Sequence, residues 1–191
     1  MHKYTTDELV AQKPSPEDFA KRKRNPITFI LHNIRSLENV GLFFRLADAY
    51  LIEKIYLTGY TGYPEIADDT RDLRVRRHAE QEINKTAIKL VPFVPWEKSE
   101  DILSILGNLR DLGTQIVGVE QTDVSLDYQN ANYKMPTALL FGHEREGVEE
   151  ELLKQCDCVV HIPMLGMGNS HNVATSGAII TSYLVADLRG H

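Results

Sequence analysis

Three short clusters in this chain combine side-chain amides, charges and hydroxyls with glycine. These residue types let a backbone approach a polar ligand closely and hold it. The first cluster is Asn39-Val-Gly-Leu-Phe-Phe-Arg45. The second is Leu140-Phe-Gly-His-Glu-Arg-Glu-Gly147. The third is Ile162-Pro-Met-Leu-Gly-Met-Gly-Asn-Ser-His-Asn-Val173. Arg45 is flanked by apolar Phe43, Phe44, Leu46 and Ala47, so it either pairs with Asp48 or grips an anion with its planar fork of donors. Glu144 and Glu146 can accept from a hydroxyl or an amine, or complement the dipole of a following helix. Ser170 and Asn172 suit helix capping. Capping alone does not explain the glycines before them or the small residues Ala174, Thr175, Ser176, Gly177 and Ala178 after them. Gly177 inside a helix costs about 1 kcal/mol relative to alanine and therefore requires a close packing partner.

Each cluster falls where a strand pattern meets a helix pattern. Apolar, β-rich runs at 27–31, 54–58, 115–119, 137–141 and 158–162 predict strands. Helical spacing follows at 39–51, with Asn39 as the expected N-cap, and at 101–112, 148–155 and 172–188. A short helix is expected at 17–23, ended by Pro26, a further strand at 89–94, and a functional loop over 59–79. Strands that alternate with helices and are continuously apolar imply a mostly parallel α/β sheet covered by helices on both faces. Ligands of such sheets bind at strand–helix boundaries.

The chain has 191 residues, 42% of them hydrophobic and 25% charged, which fits one globular domain, read as 26–191 behind an N-terminal extension over 1–25. No apolar run reaches the roughly 18–20 residues that span a bilayer, and the polar, acidic first residues lack a secretory pattern, so a cytoplasmic location is expected. Cys156 and Cys158 are too close for an unstrained disulfide, and no second cysteine pair completes a zinc site. Buried free thiols and no metal are expected. The net charge of −6 opposes nucleic-acid binding only mildly, because two local basic runs exist: Lys21, Arg22, Lys23 and Arg24, and then Arg71, Arg74, Arg76 and Arg77 with His78. Flanking a ligand site, they favour an anionic partner. The dinucleotide fingerprint Gly-x-Gly-x-x-Gly is missing after the first strand, and no Gly-Lys-Ser/Thr phosphate loop occurs.

In order and spacing the clusters resemble the three motifs of the SpoU-type, TrmH-like RNA ribose 2′-O-methyltransferases, a branch of the SPOUT superfamily. Asn39 with Arg45 fits the first motif, Gly142-x-Glu144-x-x-Gly147 the second, and Pro163-Met164 through Ser170-x-Asn172-Val173 the third; Lys85-Thr-Ala87 and Val94-Pro-Trp96 resemble the region between. His171 and Ala174 depart from the usual apolar residue and hydroxyl.

The resemblance implies an α/β-knot fold with a C-terminal trefoil and a homodimer with its active site at the interface. It implies S-adenosylmethionine held by Phe141, Gly142, His143, Ile162, Met164, Leu165, Gly166, Met167, Ser170 and Asn172. Arg45 would be catalytic, with Asn39, Glu144, Ser170 and Asn172 orienting the ribose and the loops. The substrate would be RNA, transfer RNA ahead of ribosomal RNA. Charge alone assigns the two basic runs to the RNA backbone. The competing readings are a non-catalytic RNA-binding protein on the same fold and an enzyme for a small acidic metabolite.

Overall fold

The continuously apolar runs become the middle of a parallel sheet. The computed structural model describes residues 1–190. Its strands are β1 (Asn25–His32), β2 (Ile52–Thr58), β3 (Trp96–Ser99), β4 (Gln115–Val119), β5 (Leu126–Asp127), β6 (Thr137–Phe141) and β7 (Cys158–His161). They lie in the order β3-β2-β1-β6-β4-β7-β5, and every pairing is parallel. Alternate residues of one strand feed two cores, as the period of two requires. Phe29, Leu31, Leu139 and Phe141 face α3 (Leu37–Ala49), α4 (Leu73–Ala87) and α7 (Val173–Leu188). Ile30, Ala138 and Leu140 face α5 (Ile102–Asp111) and α6 (Glu150–Leu153). Helices therefore cover both faces. Ahead of β1 lie only the short α1 (Thr6–Ala11) and α2 (Pro16–Ala20). No helix among the described residues is long and apolar enough to cross a membrane.

Several local expectations are corrected. Asn39 is not the N-cap of α3; Ser36 is, its hydroxyl accepting from the Asn39 backbone N–H at 3.3 Å. The last third of the expected 59–79 loop is the start of α4, capped by Asp72. Its buried stripe is only Ala79, Ile83 and Ala87, too narrow to register among charged neighbours. The expected strand at 89–94 is broken by left-handed backbone at Ile88 and Lys89 and becomes a 3₁₀ turn, Val91–Phe93; the strand comes later, as β3. The expected helices at 17–23 and 148–155 shorten to α2 and α6. Pro26 lies inside β1, where the register with β2 slips between Asn25 and Thr28 because proline offers no N–H. Cys156 precedes β7 rather than sharing it with Cys158, and both thiols are free and half-buried. Burial pushes the Cys156 thiol up to about 12.

Two glycines set the helix spacing on the α3 face. A β-carbon at Gly41 would overlap the Ile83 carbonyl oxygen and the Thr86 hydroxyl of α4. One at Gly177 would come within 2.5 Å of the Phe43 ring, the close partner that a glycine in this helix requires. We expect Gly41→Ala to lower thermal stability, because overpacking costs about 1–3 kcal/mol and outweighs the helix-propensity gain of about 1 kcal/mol. A melting temperature equal to or above wild type would show that α3 and α4 are not so closely packed.

Candidate active site

A chain of hydrogen bonds joins the three sequence clusters. Glu144, in the loop after β6, accepts from the backbone N–H groups of Arg35 and Ser36, both at 2.9 Å, and from the Asn39 side-chain amide at 2.8 Å. It thereby caps the α3 N-terminus from outside. The Asn39 oxygen accepts from the Asn172 amide at 3.0 Å. Asn172 in turn accepts from the Ala174 and Thr175 N–H groups at 2.9 and 3.2 Å, capping α7. Burial would raise the Glu144 carboxyl, but the Arg35 and Ser36 N–H groups and the Asn39 amide together hold it below the ordinary carboxylate value.

This chain borders a cavity of about 390 Å³ at the carboxyl ends of β4, β6 and β7, within the volume range of small-molecule sites. Val119, Phe141, Ile162 and Val173 supply apolar walls, and Glu120, Glu144, Ser170 and Asn172 supply polar groups. Gly142 allows the close approach of its loop: a β-carbon there would strike the Gly147 backbone. His143 and Gly147 exchange backbone hydrogen bonds of 3.0 and 2.9 Å that close the turn between them. Glu120 accepts from the Val148 N–H at 3.0 Å and pins the far side of that turn.

The structure thus brings Asn39, Glu144 and Asn172 together and places Phe141, Gly142, His143, Ile162 and Ser170 on the cavity wall. Met164, Leu165, Gly166 and Met167 do not line it. Leu165 and Met167 are fully exposed. Arg45 lies on the exposed side of α3, outside the cavity, and pairs with no residue among those described. Of the two readings of Arg45, the pairing with Asp48 is absent: the Asp48 carboxyl is raised by burial, offset by Lys13 and Arg24.

The basic runs divide. Arg24 turns inward and donates to the carbonyls of Ile52 and Phe93 at 3.0 and 2.7 Å. Arg71 pairs with Asp69 at 2.6 Å and stacks over Tyr63, and Arg76 pairs with Glu65 at 2.9 Å. Lys21, Arg22, Lys23, Arg74 and Arg77 remain exposed. Sequence reasoning passed over Arg35, Glu120, Arg145 and His161, all of which line the site's clefts. Glu120 and His161 were signalled by their position at the carboxyl ends of parallel strands.

The model of the SpoU rRNA Methylase family matches residues 26–182. The chain belongs to the SpoU family. A curated relative of this SpoU chain is the tRNA (guanosine(18)-2′-O)-methyltransferase of Thermus thermophilus, 26% identical over 170 residues, which are 89% of this chain and 79% of that one. The TrmH/SpoU tRNA modifying enzyme of A. aeolicus shares the fold with a TM-score of 0.70 at 21% identity, covering 92% of this chain and 82% of that one. An AdoMet-bound rRNA methyltransferase from Sinorhizobium meliloti does so with a TM-score of 0.71 at 23% identity, covering 87% and 58%.

The depressed Glu144 carboxyl carries a stability signature. The unfolded chain protonates this group near pH ~4.3 while the folded chain keeps it ionised, so its contribution is complete above that pH and is lost as pH falls through the folded value. In thermal melts between about pH 6 and 3, the Glu144→Gln protein of this SpoU chain should lose stability less steeply than wild type. Parallel slopes would remove Glu144 from the acid-sensitive groups.

Proposed function

We propose that this protein transfers a methyl group from S-adenosylmethionine to a ribose 2′-hydroxyl of RNA, transfer RNA ahead of ribosomal RNA. The observation that carries the reading is the Glu144–Asn39–Asn172 link, which fastens the cavity wall to the helix bearing Arg45, in a chain whose family model spans nearly the whole domain. The residues present fit the cofactor. The apolar walls suit a flat heteroaromatic ring, and the Glu120 and Glu144 carboxylates offer acceptors to hydroxyl and ammonium groups. Phe141, Gly142, His143, Ile162, Ser170 and Asn172 would hold it, with the Met164–Met167 segment folding over the opening. When bound, it supplies a methyl carbon already activated by the sulfonium.

The protein's task is alignment and charge. The hydrogen-bonded chain fixes the loops, and Ser170 orients the ribose. Arg45 grips an RNA phosphate and stabilises the developing 2′-oxyanion; its pKa above ~12 makes it a poor base. Because Arg45 faces away from its own cavity, we read the active unit as a homodimer in which the Arg45 of one protomer meets the cavity of the other. The exposed Leu42, one helical turn from Arg45, suits such an apolar contact. The C-terminal region is read as the trefoil of the SPOUT fold on the strength of family membership. Lys21, Arg22, Lys23, Arg74 and Arg77 are assigned to the RNA backbone.

Arg45→Ala should abolish methyl transfer to bulk transfer RNA while leaving S-adenosylmethionine affinity near wild type. Mixing Arg45→Ala chains with Asn172→Ala chains should restore part of the activity, since one of the two sites in a mixed dimer is intact. A mixture as inactive as its components would refute the shared site. Arg74→Gln combined with Arg77→Gln should lower the salt slope of RNA binding by about one for each phosphate no longer neutralised. An unchanged slope would return that helix face to solvent.

A further inference from the structure

A second cleft, of about 360 Å³, opens beside the cofactor cavity and shares with it His143, Glu144 and Arg145. Its other wall is Arg35, Ser36 and Asn39. Methyl transfer as proposed above uses Asn39 and Glu144. It leaves without a task Arg35, Arg145, the neighbouring Tyr60 and, beyond the cofactor contact assigned to His143, that residue's Nε2.

The tautomer of His143 is fixed by its own turn. Its Nδ1 accepts from the Glu146 N–H at 3.0 Å and the Arg145 N–H at 3.3 Å. A ring nitrogen that accepts backbone N–H bonds carries no hydrogen, so the neutral ring bears its hydrogen on Nε2. Nε2–H then points away from the turn, and among the described residues nothing accepts from it. The Tyr60 and His143 rings meet in a T-shaped arrangement, the centroids 6.2 Å apart and the planes at 71°. Tyr60 is 60% exposed, and its backbone is anchored. It follows Gly59, whose φ is +59°, and its N–H donates to the Asn33 oxygen at 3.1 Å. Asn33 donates in turn to Glu149 at 2.7 Å. The Arg35 and Arg145 side chains are exposed and unpaired among the described residues. The carboxylate between them is already held by three donors from the α3 N-terminal region.

A neutral donor of fixed direction and two free guanidinium forks lining one cleft, with an aromatic ring beside it, match the parts of a nucleotide in single-stranded RNA. We propose that Arg35, His143, Arg145 and Tyr60 form the subsite for the nucleotide to be methylated. The two arginines take oxygens of the phosphates on either side. His143 Nε2–H donates to an acceptor oxygen of that nucleotide, and its base stacks on Tyr60. The inference rests on the proposed methyl-transfer function and names the residues that present the ribose to it.

The test uses the full chain, unmodified bulk transfer RNA as probe, and S-adenosylhomocysteine at saturation to hold the cofactor cavity filled. His143→Asn keeps an acceptor for the turn and removes the Nε2 donor; Tyr60→Leu removes the stacking face; Arg35→Gln and Arg145→Gln remove charge. The Tyr60→Leu and His143→Asn proteins should bind RNA about tenfold more weakly, with an unchanged salt slope. Each arginine variant should lower that slope by about one. The Tyr60→Leu, Arg35→Gln and Arg145→Gln proteins should bind S-adenosylhomocysteine as wild type does, and Tyr60→Phe should retain wild-type RNA affinity. Wild-type RNA affinity and KM in all four would overturn the subsite, as would parallel loss of S-adenosylhomocysteine binding in the Tyr60 and arginine variants, which would assign their effect to the cofactor cavity. If wild type methylates no RNA, the proposed function falls and the subsite with it; if wild type methylates RNA and the variants keep its KM, only the subsite falls.

Discussion

The side-chain amide of Asn39 is the constraint on which the site depends. The residue is only 6% exposed, and both ends of its amide are committed. Glu144 is ionised and can only accept, so the Asn39 nitrogen must face it. Asn172 must turn its oxygen to the first N–H groups of α7, so its nitrogen faces the Asn39 oxygen. The hydrogen-bonding rules leave one consistent orientation for both amides. A buried amide left unpartnered costs about 1–3 kcal/mol, so the arrangement resists partial loosening. It also ties together residues 105 and 133 positions apart in the chain.

Packing makes that geometry reachable. Phe29, Phe43 and Phe141 meet edge-on or tilted, with centroids 4.9 to 6.0 Å apart, directly behind the site. They bring β1, α3 and β6 into one rigid unit. Gly41 lets α4 close on α3 from one side, and Gly177 lets α7 close from the other. Held between two neighbours, α3 presents Asn39 inward and Arg45 outward. The two residues are six positions apart, about 120° around the helix and about 9 Å along it. A single helix therefore serves the protomer's own cavity with one residue and faces outward with the other.

The charges follow the same division between scaffold and surface. Arg71 lies over the Tyr63 ring and holds the Asp69 carboxyl well below its usual range, with burial opposing. Arg24 ties the chain entering β1 to the turn before β3. These cations organise the fold. Among the exposed cations of this acidic protein, Arg35 and Arg145 line the second cleft and Arg74 and Arg77 lie on α4, where a polyanion has access to them.

Most of the sheet was legible in the sequence, because buried parallel strands are continuously apolar; the predicted 115–119 and 137–141 coincide with β4 and β6. The three clusters were legible too, since glycine beside amides and charges at a strand–helix boundary is a local pattern. What the order of residues left open was partnership. Asn39 as a cap and Arg45 as a partner for Asp48 were reasonable local readings. The fold gave the cap to Ser36 and the amide to Glu144, and left Arg45 free. The basic runs looked alike until tertiary contacts took Arg24, Arg71 and Arg76 into the scaffold. Local chemistry is written in neighbouring residues, whereas hydrogen-bond direction and charge pairing depend on groups a hundred residues away, which only the closed packing of α3 against α4, α7 and the sheet brings within reach.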